Sequence, residues 1–286
     1  MSNPAYTLIT VAGTGAELSK NEFPQLPTTL AELVDTAVRC QAAGAALIHV
    51  HVRDDAHAPT LDLGRLRDAV AAVREATDLV VQLSTGGSVH DPLDARLRVL
   101  EAEPDSCSLS CGTMNFGDDV FLNPWGFMVD LFQLAREKEI VPEFEVFDFG
   151  HLATLGRLLA EHGLPFGGKV HVDFVTNVPG GMPGTPGALL AAVAALPPAV
   201  TSWSATGIGR AHLPILATAI AAGGHARVGM EDNVFFSRGS VAAHNVEFVS
   251  RAAELATLMQ RPPMSTDDAR SLLGVKDRRP ASTRHT

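Results

Sequence analysis

The chain has 286 residues, of which 46% are hydrophobic and 19% charged, and its formal net charge is −10. This composition supplies a large apolar core and argues against a disordered chain. The negative charge and the lack of a visible basic patch argue against nucleic-acid and membrane-surface binding. No segment has the pattern of a membrane span or a signal peptide, and the 3 cysteines do not favour a disulfide framework. We therefore expect a reduced, cytoplasmic setting.

Short runs rich in β-branched and apolar residues alternate along the chain with longer Ala- and Leu-rich segments of helical period. The short runs predict eight strands, because buried strands have this composition and length. They are residues 7–14, 45–53, 79–85, 106–112, 141–147, 169–175, 200–205 and 226–231.

The longer segments predict eight helices between and after these strands. They are residues 29–43, 62–77, 92–102, 124–138, 151–161, 185–195, 212–222 and 240–259. Eight strand-then-helix units predict an α/β fold of the (β/α)8 TIM-barrel type, as a single domain over residues 1–286 with a polar tail at 278–286. A doubly wound open sheet is the competing architecture, but residues 11–16 match its glycine fingerprint only in part.

The second predicted strand contains two histidines separated by one residue. Because side chains alternate along a strand, His49, His51 and Arg53 are predicted to share one face. Two neighbouring imidazoles on one face are the start of a metal site, for which zinc is the commonest first-row ion. The pattern also fits two histidines held by core hydrogen bonds, so this strand alone leaves both interpretations open.

Glu231, on the last predicted strand, is the third metal ligand that we expect. It shares a face with Arg227 by alternation, and Gly229 between them leaves space above the sheet. Two histidines and a glutamate form a known catalytic zinc sphere that keeps a position open for water or substrate. A buried ion pair between Glu231 and Arg227 is the alternative. Asp232 lies at the strand end, where alternation loosens, and could face the site as a base.

Polar residues follow nearly every predicted strand. In a TIM barrel the active site lies at the C-terminal ends of the strands, so these residues are candidates for substrate binding. The candidates are Glu17 after the first strand, Ser84, Thr85, Gly86 and Gly87 after the third, Thr113 after the fourth, and Glu143 on the fifth.

Together these motifs resemble the β-keto acid cleavage enzymes, a family founded on 3-keto-5-aminohexanoate cleavage. The resemblance extends over most of the chain. It rests on residues 15–17 (GAE), 44–54 (GAALIHVHVRD), 84–87 (STGG), 142–143 (PE), 146–148 (VFD) and 227–233 (RVGMEDN). The motifs at residues 44–54 and 227–233 together make the resemblance specific.

The resemblance implies a TIM barrel with zinc held by His49, His51 and Glu231. It implies a transfer in which a β-keto acid and acetyl-CoA give acetoacetate and a new acyl-CoA, by Claisen and retro-Claisen chemistry. Arg227 and Asp232 would abstract a proton. A homo-oligomer, a tetramer by resemblance, is expected.

By the same resemblance, Ser84 would place the substrate carboxylate, and Glu17 and Glu143 match acidic positions near the substrate. An adjacent cation lowers the pKa of a carboxylate, so we expect Asp232 to stay ionised beside Arg227.

Two other classes of protein compete with this interpretation. An amidohydrolase-type metal-dependent hydrolase also has a barrel with a His-x-His motif, but that family carries the motif on its first strand and has two further histidine ligands on the fifth and sixth. A scaffold protein stabilised by a structural metal is the second alternative. Metal removal would separate the classes, because a scaffold should unfold whereas an enzyme should lose activity and keep its fold.

Overall fold

The structure, a computed structural model, describes residues 5–279. Its centre is a closed barrel of eight parallel strands in which each strand pairs with its neighbours in sequence and the first pairs with the last. In chain order these are β1 Ile9–Ala12, β2 Leu47–Val50, β3 Val80–Leu83, β4 Ser106–Ser110, β5 Val141–Val146, β6 His171–Thr176, β7 Ser202–Gly207 and β8 His225–Val228. The predicted (β/α)8 TIM barrel is confirmed, and each predicted strand contains one barrel strand or most of one.

Helices connect the strands and cover the barrel. They are α1 Leu30–Ala42, α2 Leu63–Ala76, α3 Leu93–Arg98, α4 Trp125–Glu137, α5 Phe149–His162, α6 Pro186–Ala194, α7 His212–Ala221, α8 Asn245–Leu258 and α9 Thr266–Leu273. Polar side chains start several of them. In α1, for example, Thr29 and Glu32 form a capping box that satisfies free backbone donors of the first turn. The main apolar core lies between the barrel and these helices.

Helix α9 was not predicted from the sequence. Its signals are present, since Ser265 accepts a hydrogen bond from the amide of Asp268 and Gly274 ends the helix in a left-handed conformation. The helix buries Leu273 against Leu8 and Val80, which lie where the first and third barrel strands begin. It therefore covers the N-terminal end of the barrel.

Three short antiparallel hairpins lie at the opposite end, after β2, β4 and β8, and correct two predicted boundaries. They pair Val52–Arg53 with Pro59–Thr60, Met114–Phe116 with Asp119–Phe121, and Phe235–Ser237 with Ser240–Val241. The strand predicted over 45–53 breaks at His51, and the helix predicted from residue 240 begins at Asn245. Beyond this break, Arg53 donates to the carbonyl oxygens of Gly15 and Leu18.

At the chain's C-terminal end, the predicted polar tail at 278–286 lies largely outside the described residues. Within its described part, Arg278 donates to the carbonyl oxygens of Lys138 and Glu139. Among residues 5–279, no helix has the length and apolar character needed to cross a membrane.

Candidate active site

A cavity of about 390 Å³ opens at the C-terminal ends of the barrel strands. Strands β2 and β8, with the residues that follow them, bring five side chains to its wall: His49, His51, Arg227, Glu231 and Asp232. These are the five residues for which the sequence predicted metal binding or proton transfer, and the fold gathers them in one place.

The two histidine rings face the carboxylate of Glu231. Their Nε2 atoms each lie 3.6 Å from Oε1 of Glu231, and the ring centroids are 5.2 Å apart. One ligand atom from each of these three side chains lies within 4.8 Å of the others, so a single metal ion could contact all three.

The tautomer of His49 is set by a neighbour on β3. Nδ1 of His49 lies 2.6 Å from Oε1 of Gln82, whose amide nitrogen donates to Oγ of Ser106 at 3.2 Å. An amide oxygen only accepts, so Nδ1 carries the proton and the free lone pair of Nε2 faces Glu231. Burial lowers the pKa of His49 to about 3, which keeps the ring neutral at physiological pH. A neutral imidazole is the form that binds a metal.

Two glycines let the backbone and the Glu231 side chain fit together. Gly229 has φ of 149°, and a Cβ there would lie 1.9 Å from the carbonyl oxygen of Ala12 on β1. From the sequence, Gly229 was interpreted as leaving space above the sheet. In the structure, the chain just after β8 approaches the backbone of β1 closely at this residue instead. Gly15 has φ of 63°, and a Cβ there would lie 2.7 Å from Cγ of Glu231. Both positions therefore require glycine.

The residues fit a divalent cation. Oε2 of Glu231 is buried and has no hydrogen-bond partner among the described residues, although a buried carboxylate oxygen ordinarily has one. Two imidazole nitrogens with one carboxylate form a donor set that zinc accepts, with room for a further ligand from the cavity. His49, His51 and Glu231 would hold such an ion.

Arg227 is surrounded by carboxylates. Its Nη2 lies 2.5 Å from Oε1 of Glu231, Nε and Nη2 donate to both oxygens of Asp232 at 3.2 and 3.1 Å, and Nη1 lies 3.4 Å from Oε1 of Glu145. The predicted ion pair of Glu231 with Arg227 thus exists beside the histidines, and the two interpretations of Glu231 are compatible.

Burial raises the pKa of Asp232 to about 7, although Arg227 acts in the opposite direction. The expectation that Arg227 lowers the pKa of Asp232 and so keeps it ionised is therefore wrong, because the penalty for burying the charge is larger. A pKa near the working pH suits a carboxylate that takes up and releases a proton.

Comparison with known proteins identifies the family. A model of the beta-keto acid cleavage enzyme family matches residues 7–275. The chain belongs to the β-keto acid cleavage enzyme family. The 3-keto-5-aminohexanoate cleavage enzymes of Acetoanaerobium sticklandii and Fusobacterium nucleatum are each 36% identical to it, over 94% of this chain and 98% of theirs. The 3-oxoadipate:acetyl-CoA acetyltransferase of Cupriavidus necator is 32% identical over 94% of each chain.

A solved structure of ObcA shares the fold. It matches with a TM-score of 0.78 at 20% identity, and the match covers 88% of this chain and 66% of the ObcA chain. The family match decides against the amidohydrolase alternative. Consistently, His171 on β6 lies outside the His49–His51–Glu231 group.

Four of the residues predicted to bind substrate line the cavity. They are Glu17, Ser84, Gly86 and Gly87. Thr85 is buried behind it and donates to the carbonyl oxygen of Ser108, while Thr113 is exposed and accepts from the amide of Asn123. Neither Thr85 nor Thr113 lines the cavity.

Glu143 lies inside the barrel and does not line the cavity either. Its Oε2 is 3.5 Å from Nε2 of His171, and both side chains are fully enclosed. Burial raises the pKa of Glu143 to about 8 and lowers the pKa of His171 to about 3, so both groups are neutral at pH 7. The structure therefore places Glu143 among barrel-interior side chains, outside the lining of the cavity.

Sequence reasoning missed the apolar wall of the cavity and the partner of His49. The wall residues lie at or just beyond the C-terminal ends of strands β4 to β7, a position that could have drawn attention to them. A loop pattern does not tell which side chains turn inward. The wall residues are Phe116, Phe121, Phe147, Val175, Val178 and Ile208. Gln82 could have been found by alternation, since it pairs with His49 on the neighbouring strand.

Proposed function

We propose that this protein is a zinc-dependent β-keto acid cleavage enzyme that converts a β-keto acid and acetyl-CoA into acetoacetate and a new acyl-CoA. The observation that carries the proposal is that the His49–His51–Glu231 group and the Arg227–Asp232 pair share one cavity. Acetyl-CoA as the co-substrate is supported by the names of relatives such as the 3-oxoadipate:acetyl-CoA acetyltransferase.

The metal group and Asp232 supply complementary chemistry. A bound zinc ion would act as a Lewis acid that polarises a keto oxygen and stabilises negative charge there. Asp232, as a carboxylate, accepts the proton from the carbon between the keto and carboxylate groups: the C–H bond breaks, an O–H bond forms on Asp232, and the electron pair passes towards the keto oxygen. Arg227 holds Asp232 with two hydrogen bonds and supplies a cation beside the developing charge.

Ser84 is suited to bind the substrate carboxylate. Its Oγ accepts a hydrogen bond from the amide of Gly86 at 3.2 Å, which leaves its own O–H free to donate into the cavity. Holding the carboxylate at Ser84 would turn the carbon between the keto and carboxylate groups towards Asp232. Orientation of this kind contributes substantially to rate, because it replaces a random encounter with a fixed geometry.

An acetyl-CoA-dependent assay tests the proposal. Purified protein is incubated with acetyl-CoA and a panel of β-keto acids, and acetoacetate and acyl-CoA products are measured by mass spectrometry. We expect both products only when acetyl-CoA is present, with activity lost on chelation and restored by zinc. A panel without any acyl-CoA product would overturn the proposal.

We further propose a homotetramer that works in the cytoplasm, on the strength of the family resemblance. Light scattering of the purified protein tests the assembly. A monomer at micromolar concentration would contradict it.

A further inference from the structure

The cavity has an apolar wall opposite the metal group, which we call the phenylalanine wall. It consists of Phe116, Phe121 and Phe147 with Val175, Val178 and Ile208. The three phenyl rings contact one another edge to face, with centroids 6.0 to 6.4 Å apart. Such contacts hold the rings in place and keep an apolar surface turned to the cavity.

The topology separates this wall from the charged residues. Phe116 and Phe121 lie on the hairpin after β4 and Phe147 follows β5, whereas the metal group comes from β2 and β8. In the ring of eight strands β5 lies opposite β1, whose following loop carries the exposed Glu17. A substrate held between the two sides would therefore present its keto-acid end to the metal group and its remaining chain to the phenylalanines.

The described residues that line the cavity offer no free cation to pair with a second carboxylate on the substrate chain. Among the described residues that line the cavity, Arg227 is the cationic one, and it is already bonded to Glu145, Glu231 and Asp232. Arg96 lies nearby but outside the lining. Its guanidinium donates to the carbonyl oxygens of Thr85 and Leu122 and to the side chain of Asn123.

Arg96 also disfavours a positively charged acyl chain in the substrate. The guanidinium carbon of Arg96 lies 4.8 Å from the centroid of Phe121 and 4.5 Å from that of Phe127. Arg96 therefore already makes cation–π contacts with both rings. A cationic group of the substrate on the cavity side of Phe121 would be repelled by the positive charge of Arg96. Among the described residues that line the cavity, Glu145 is the carboxylate nearest in sequence to Phe147, and it is bonded to Ser110 and Arg227.

We infer that the acyl chain accepted by this enzyme is neutral and apolar, a straight or branched alkyl group that packs on the phenylalanine wall. The inference rests on the proposed function and names its substrate class. It separates this chain from its relatives, whose names specify an amino-bearing substrate and a dicarboxylate.

The test measures kcat/KM with acetyl-CoA for 3-oxo acids whose alkyl chains grow from ethyl to pentyl. Each added methylene should raise kcat/KM about fourfold until the wall is covered, the factor that corresponds to about 0.8 kcal/mol per buried methylene. The competitors are 3-keto-5-aminohexanoate, 3-oxoadipate and 3-dehydrocarnitine. Each should be at least about tenfold poorer than the best alkyl substrate, because a charge would be buried without a partner.

Phe116→Lys provides a sharper test, since it places an ammonium group on the wall. We expect it to raise the ratio of 3-oxoadipate to alkyl substrate by about tenfold or more. Phe149→Lys is the matched control, because Phe149 is 43% exposed and does not line the cavity. The control should leave the ratio unchanged.

The outcomes separate the two proposals. Faster cleavage of a charged substrate by the wild-type enzyme overturns the apolar chain and leaves the proposed function standing. Absence of cleavage for every β-keto acid overturns the proposed function. In that case calorimetric binding of the alkyl series to the zinc-loaded protein, without acetyl-CoA, decides the inference: affinity that rises with chain length supports it, and affinity independent of chain length overturns it.

Discussion

The two sides of the cavity are built from different parts of the chain. The metal side consists of charged and imidazole groups at the C-terminal ends of β2 and β8, and these contact one another through hydrogen bonds and ion pairs. His49 and Arg227 lie on these two strands, and the other three groups follow shortly after them. The opposite side is the phenylalanine wall, which comes mainly from a hairpin and loops beyond the strand ends.

This difference indicates a division of labour. Barrel strands are fixed by their neighbours on both sides, so they hold reacting groups with constant geometry. Loops beyond the strands tolerate change, and this is how TIM barrels vary their substrates. Substitutions on the metal side should therefore reduce the rate for every substrate, whereas substitutions on the wall should change which substrate is preferred.

The largest effect is expected from Glu231→Gln. The change removes the carboxylate from the metal group and leaves Arg227 without its shortest partner. We expect loss of bound zinc and a fall in kcat/KM of about 10³-fold or more for all substrates, since a bound cation supplies several kcal/mol of charge stabilisation. Metal analysis and steady-state kinetics measure both. Glu254→Gln, on the exposed face of α8, is the control. A Glu231→Gln variant that keeps one zinc per chain would contradict the assignment of Glu231 as a metal ligand.

Asp232→Asn should separate proton transfer from metal binding. The amide keeps the shape of the carboxylate but cannot accept the substrate proton, so kcat should fall about 10²- to 10⁴-fold while zinc content stays constant. The exposed Asp130 on α4 provides the control Asp130→Asn. A variant with normal kcat and a raised KM would show that Asp232 only binds substrate.

Much of the barrel could be predicted because its pattern is local. A run such as Leu47–Val50 is apolar and β-branched, and eight such runs separated by helical segments specify the barrel. Alternation along the predicted strand 226–231 placed Glu231 and Arg227 on one face, and the structure brings them together with His49 and His51. Asp232 reaches Arg227 as well, because the chain turns at the strand end.

The remaining features depend on contacts between distant segments. Phe116 faces the cavity because a hairpin folds it over the barrel mouth, and no periodicity in residues 113–123 indicates that direction. The pKa of Asp232 depends on burial as well as on its visible neighbour Arg227. Glu143 was assigned to substrate binding from its position on β5, but its side chain lies with His171 inside the barrel.

Gln82→Leu is expected to weaken the metal side without touching the wall. It removes the acceptor that fixes Nδ1–H of His49, so either nitrogen of the ring could carry the proton. Loss of such an outer partner typically lowers metal affinity about 10- to 100-fold. Zinc competition with a chelator measures the affinity, and Gln133→Leu on the exposed face of α4 is the control. The preference among alkyl chain lengths should be unchanged, and a shift in that preference would break the division between the two sides.

Glu143→Gln should have the smallest effect on catalysis and a pH-dependent effect on stability. The pKa of Glu143 is about 8 in the folded protein, raised by burial from the ordinary value of 4.5. Between these two values the folded state holds a proton that the unfolded state has lost, so the wild-type protein loses stability as pH rises through this window, by up to about 1.4 kcal/mol per pH unit. Glutamine does not titrate, so the free energy of unfolding of the variant relative to wild type should increase from pH 5 to pH 8.

Denaturant unfolding at both pH values measures this difference, with Glu137→Gln on the exposed face of α4 as the control that should show none. Because Glu143 does not line the cavity, KM should be unchanged in the variant. A raised KM together with a pH-independent stability difference would support the substrate-binding role that the sequence predicted for Glu143. That result would also mean that the barrel interior, and not only the residues at its mouth, takes part in substrate recognition.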